Sequence, residues 1–162
     1  MKTRLALAAA ALALVPAAAG AQVLQERNIS MALAQEIAQG AIAACAAKNF
    51  AVTATVVDRS GLMRAVLRAD RAGPHTVEAS RAKAYTSASA RNATTAIMEN
   101  AERNPAARHL ASINGFLLLG GGLPIRAGEE VIGAIGVGGA PGGHIDEECA
   151  KTALDAVAAK LR

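Results

Sequence analysis

A chain of 162 residues is long enough for one domain with a proper core. Its only aromatic residues are Phe50, Tyr85 and Phe116, and Trp is absent, so that core must be built from Ala, Val, Leu and Ile. The formal charge of +4 falls to +2 without Lys2 and Arg4, and so weakly positive and aromatic-poor a chain argues against nucleic acid as a partner.

The chain opens with a leader. Lys2 and Arg4 form a positive n-region, Leu5 to Val15 an apolar h-region, and Ala19-Gly20-Ala21 a small-residue cleavage site. The apolar stretch is shorter than the roughly 20 residues a membrane span needs. This predicts a signal peptide over residues 1–21, cleavage after Ala21, a single mature domain over 22–162, and a periplasmic or extracellular location. No Cys follows the cleavage site, which argues against a lipoprotein.

The mature part then reads element by element. Ser30 is an N-cap candidate for a first helix, with Ala34, Ile37, Ala38, Ala41, Ile42 and Cys45 as its apolar stripe. Val52 to Val57 and Leu62 to Leu67 read as two strands joined by the turn Asp58-Arg59-Ser60-Gly61. Pro74-His75-Thr76 starts a long helix that breaks near Asn92. A second piece starts at Thr94 or Thr95 and runs through Arg103 to Asn104-Pro105. His109 to Asn114 reads as a loop or short turn.

The glycine-rich stretch Leu117 to Gly143 follows, with apolar runs too short for helices. Phe116–Leu119, Leu123–Arg126 and Glu130–Val137 read as three strands, the last two a tight hairpin turning at Gly128. Gly133 and Gly136 weaken the third strand, which makes sense where another backbone or a flat ligand approaches closely. The closing GGAPGG is either a simple turn or a backbone nest for an anion. Asp146, Glu147 and Glu148 suit the first turn of a last helix. Its apolar stripe is Ala150, Leu154, Val157, Ala158 and Leu161. This order predicts an α+β sandwich with a five-stranded antiparallel sheet, the first and last helices on one face and the middle helices on the other.

Cys45 and Cys149 either pair or are two small buried residues. Neither has a nearby His at zinc-site spacing. No nucleophile with a base, carboxylate pair or metal cluster can be assembled, so the sequence favours a binding protein over an enzyme.

The segments VVDRSGLMRAVLRAD, AGPHTVEASRAKAYTSA and GGGLPIRAGEEVIGAIGVGGAPGGHIDEECA resemble the GlcG/HbpS family from about Ser30 to Leu161. The resemblance implies a profilin-like fold, also found at the C-terminus of PduO proteins. It further implies homo-oligomers, octamers in some members, and haem as cofactor in secreted relatives, one type of which signals redox state to a membrane sensor kinase. Haem iron takes His, Met, Cys or Tyr as an axial ligand. The resemblance of GPHT to secreted relatives singles out His75 among His75, His109 and His144, with His144 and Tyr85 next in order. Arg64, Arg68 and Arg81 are candidates for the propionates, since guanidinium forks a carboxylate. Thr76, Lys83 and Tyr85 would line the cleft. Alternation puts Arg64 and Arg68 on one sheet face. Two other readings stay open: a module binding an organic acid through GGAPGG and an arginine, and an enzyme of small-molecule metabolism.

Overall fold

The structure, a computed structural model, describes residues 22–162; the leader assigned to 1–21 lies outside the described residues. Helix α1 (Met31–Ala46) starts at Ser30, whose hydroxyl accepts the Leu33 N–H at 3.2 Å. Strands β1 (Thr53–Asp58) and β2 (Met63–Arg68) form the first hairpin. Helices α2 (His75–Ala90) and α3 (Thr94–Arg103) follow, separated by Arg91 in the left-handed conformation. The segment Pro105–Ser112, expected as a loop around His109, forms 3-10 turns. Strands β3 (Gly122–Ala127) and β4 (Glu130–Gly138) make the second hairpin, with Gly128 at φ +63° in its turn. Helix α4 (Gly143–Ala156) is the last long element, and a single 3-10 turn, Ala158–Lys160, carries the chain on toward Leu161.

The sheet has four strands in the order β2–β1–β4–β3, and each neighbouring pair is antiparallel. The fifth strand expected at Phe116–Leu119 does not form. The Leu117 N–H is donated to the Thr86 hydroxyl at 2.8 Å, and Phe116 sets its ring edge-on to Tyr85 with centroids 6.1 Å apart. Pairing starts only where the Val137 N–H reaches the Gly121 carbonyl at 2.9 Å. Phe116 and the Leu117 N–H are thus engaged with α2, and Leu118 lies near Met98 and Ala101 of α3, in place of pairing with a strand.

Helices α1 and α4 cover one face, as the element order predicts; of the two middle helices only α2 lies along the other face, while α3 packs chiefly on the 3-10 segment Pro105–Ser112. The main core lies between α1, α4 and the sheet, and is built from Ala, Val, Ile and the two cysteines. A smaller cluster of Val57, Ala84, Ala88 and Ala134 lies under α2. All six residues of β1 are buried because helices cover both of its faces, whereas the edge strand β2 is largely exposed. A Cβ on Gly136 would fall 2.1 Å from the Ser80 carbonyl oxygen and 2.5 Å from the Ala84 nitrogen. The close approach anticipated at this glycine is therefore the backbone of α2 lying flat on β4. Cys45 and Cys149 are disulfide-bonded, with Cα atoms 5.4 Å apart, and join α1 to α4. Both are fully buried, so both of the sequence-level alternatives hold together.

Candidate functional site

Helix α2 is docked along β1 by hydroxyl pairs. Thr53 bonds Thr76 at 2.7 Å, and Thr55 bonds Ser80 at 2.8 Å. Thr76 also donates to the Gly73 carbonyl at 2.6 Å, which fixes the turn that opens α2. Thr76 is thus a buried fastener and not a surface group. Residues Val77, Arg81 and Tyr85 recur every four positions and form the flank of α2 next to β2. There Tyr85 packs so close to the β1–β2 turn that a Cβ on Gly61 would lie 2.6 Å from its ring.

On β2, Val66 pairs with Thr55 and Arg68 with Thr53, so both share the sheet face that carries α2. Arg68 donates its Nε–H to the Ala72 carbonyl at 3.1 Å, bracing the loop that leads to His75. Arg64 behaves differently. The β1–β2 register passes from Ala65 to Met63, leaving Arg64 as the extra residue of a bulge. Its guanidinium reaches the buried carboxylate of Asp58 at 3.2 Å. The simple alternation that placed both arginines together is broken at that point. Arg81 is held bidentately by Glu78, at 2.9 and 2.5 Å. That guanidinium holds the Glu78 carboxyl below its ordinary range. Val66 and Val77 are each 40% exposed beside these groups.

His75 is exposed as the first residue of α2, with its ring folded over Gly73, and its imidazole makes no hydrogen bond among the described residues. His144 is exposed too, near the start of α4, and it lines a cavity of about 250 Å³ together with Thr95, Leu123 and Glu147. His109 is exposed on the 3-10 segment. No group of three or more metal-ligating side chains occurs among the described residues.

Lys83 departs most from the sequence reading. It is 1% exposed, and its ammonium donates to Asp146 Oδ2 at 2.7 Å and to the Val137 carbonyl at 2.9 Å. Asp146, 2% exposed, accepts the Ala140 N–H at 3.0 Å through its other oxygen. Burial pushes the Asp146 carboxyl above its usual range, against the pull of Lys83 and of the Ala140 and Gly139 amides. The anion held by the GGAPGG loop is therefore the protein's own carboxylate. Lys83 and Asp146 tie α2, β4 and α4 together, and Gly121 leaves them room, since a Cβ there would lie 2.9 Å from Lys83 Nζ.

At the end of the sheet nearest His75, a cavity of about 540 Å³ is lined by Ala46, Asn49, Phe50, Ala51 and Ala69–Arg71. It exceeds those of about 400 Å³ at Arg59, Arg91 and Arg126 and about 440 Å³ at Met98 and Leu118. Its walls are the end of α1 and the β2–α2 connection. Sequence reasoning missed it because these residues come from separate turns with no shared periodicity. His75 follows the connection but is not among the lining residues.

A four-stranded antiparallel sheet between helical layers, with a cavity at the strand ends, defines a small α+β domain. The chain belongs to the HbpS-like family, described as "Haem degrading protein HbpS-like", whose model matches residues 29–155. A crystal structure of a double mutant of HbpS from Streptomyces reticuli superposes with a TM-score of 0.79 at 35% identity, covering 91% of this chain and 98% of that one. The uncharacterised 15.0 kDa protein of the dhaT-dhaS intergenic region of Citrobacter freundii is 33% identical over 135 residues, 81% of this chain and 93% of that protein. The PduOC:heme complex shares the fold, with a TM-score of 0.71 at 21% identity over 80% of this chain and 94% of that one.

Proposed function

We propose that this chain is an exported haem-binding protein, with His75 as the axial ligand. Family membership over residues 29–155 supports haem as the ligand, and the same fold carries haem in PduOC. The choice of His75 rests on the GPHT resemblance; its imidazole is exposed and free of hydrogen-bond partners among the described residues, as those of His109 and His144 are, and it stands at the start of a helix docked along β1.

The residues present fit the group. Haem is mostly apolar, and Val66 and Val77 offer exposed aliphatic surface whose burial contributes affinity. Arg68 keeps N–H donors beyond those given to Ala72, which suits a propionate. Arg81 and Arg64 are weaker partners, since Glu78 and Asp58 already neutralise them. Lys83 and Thr76 act beneath this surface as supports. When bound, haem supplies redox-active iron; the chain's own residues bind it, orient it and shield its faces. We assign haem scavenging or redox sensing to the exported protein, acting as a homo-oligomer, with a membrane sensor kinase as the partner that would read the redox state.

One experiment addresses the reading. The secreted protein, expected to begin at Gln22 and to elute above monomer size, is titrated with haem. A saturable Soret band is expected, shifted and weakened by His75→Ala with the circular dichroism unchanged, whereas His109→Ala has little effect. An unchanged spectrum in His75→Ala rejects the ligand and moves the test to His144 and Tyr85. No saturable band in the unaltered protein rejects haem in favour of an organic-acid module. Loss of the band over time with a reductant and dioxygen, and not with the reductant alone, would identify haem turnover, as the family's description names it.

A further inference from the structure

We propose that the cavity at the end of the sheet seats the carboxylate-bearing edge of the ligand, with Arg71 as its anion partner. The inference rests on the haem reading and adds to it a residue and a recognition mode. The cavity of about 540 Å³ is walled by Phe50, Ala46, Ala51 and Ala69, an apolar lining for a flat ring system. Phe50 is the one aromatic ring outside the Tyr85–Phe116 pair, and it is partly exposed in this wall.

The polar side of the cavity is unusual in its backbone. Only three non-glycine residues among the described ones have positive φ, and two of them, Asn49 (63°) and Arg71 (66°), line this cavity. Asn49 is the common left-handed end of α1, whereas a long side chain such as that of Arg71 is rarely held in this conformation. Arg71 is exposed, and its guanidinium has no hydrogen-bond or ion-pair partner among the described residues. Arg59, Arg64, Arg81 and Arg103 are all paired with carboxylates. Asp70 lines the same cavity and opposes an anion, so recognition falls to the directed fork of Arg71 and not to a general positive field. The position four residues before His75 sets this guanidinium at the far end of the connection that carries the proposed iron ligand.

The test uses the mature protein with three probes: haem, iron-free protoporphyrin, and the dimethyl ester of that porphyrin. The unaltered protein is expected to bind the diacid more tightly than the diester. Arg71→Gln should weaken the diacid about tenfold, as for a lost hydrogen bond to a charged group, and leave the diester unchanged. Arg71→Gly should weaken the diacid equally while raising Tm, because glycine accepts positive φ without strain. Equal affinity of unaltered and Arg71→Gln proteins for the diacid overturns this inference and leaves the haem reading standing. Equal affinity of the unaltered protein for diacid and diester does the same. If the unaltered protein binds none of the three saturably, both readings fall.

Discussion

Replacing Lys83 with methionine isolates the buried ion pair. Methionine keeps much of the volume and removes the charge, so Asp146 keeps the Ala140 N–H at 3.0 Å but loses its partner at 2.7 Å. Breaking one side of a pair this deeply buried costs about 3–5 kcal/mol, because the remaining charge is left uncompensated. For a chain of this size that corresponds to a loss on the order of 10 °C in Tm. The penalty should depend on pH with a definite sign. Burial already pushes the Asp146 carboxyl up, and loss of Lys83 removes the main opposing pull. An acid whose folded pKa is raised stabilises the fold while protonated and loses that contribution as pH rises through the folded pKa. Lys83→Met should therefore be mild at about pH 4 and severe at about pH 7. Adding Asp146→Asn should recover much of the loss, giving a large coupling energy in a double-mutant cycle. Urea unfolding followed by circular dichroism measures all four proteins. A penalty under about 1 kcal/mol, the same at both pH values, would refute the reasoning.

Two further predictions follow from the packing. Replacing Cys45 and Cys149 together by alanine should cost about 2–5 kcal/mol, and thiol counting on the denatured, unreduced protein should find no free thiol, against two after reduction. Gly136→Ala should lower the unfolding free energy from urea titration by about 2–3 kcal/mol or more, because its Cβ would meet α2 backbone that cannot turn aside. Gly138→Ala, where the nearest atom would lie 3.4 Å away, is the tolerated control.

Much of the architecture was legible because it is written in local periods. The stripe Ala34, Ile37, Ala38, Ala41 and Cys45 is buried as its spacing requires, and the break near Asn92 separates α2 from α3. Phe116–Leu119 misled because an apolar run of four says nothing about where its backbone hydrogen bonds go; a hydroxyl on α2 takes one of them. The site was less legible. Asp146 at a helix start looks the same in sequence whether it faces water or Lys83, which stands 63 positions away. Lys83 itself sits among surface-like residues on a weakly amphipathic helix, yet that helix lies on β4, where Lys83 meets the Val137 carbonyl and Asp146. Arg71 and Phe50 come together only through the meeting of two chain turns, a fact of tertiary packing with no local signature.

The cross-link between the first and last helices also changes what happens when the chain is pulled or cut. Its two cysteines are separated by 104 positions, and both hairpins, α2 and α3 fall between them. Tension applied at the two ends can peel away α1 up to Cys45 and the second half of α4 before the load passes through a covalent bond, so the two hairpins between the cysteines are not drawn out until a reductant opens the ring. A protease that nicks any loop inside the ring leaves a single covalent species, with both fragments still held beside each other.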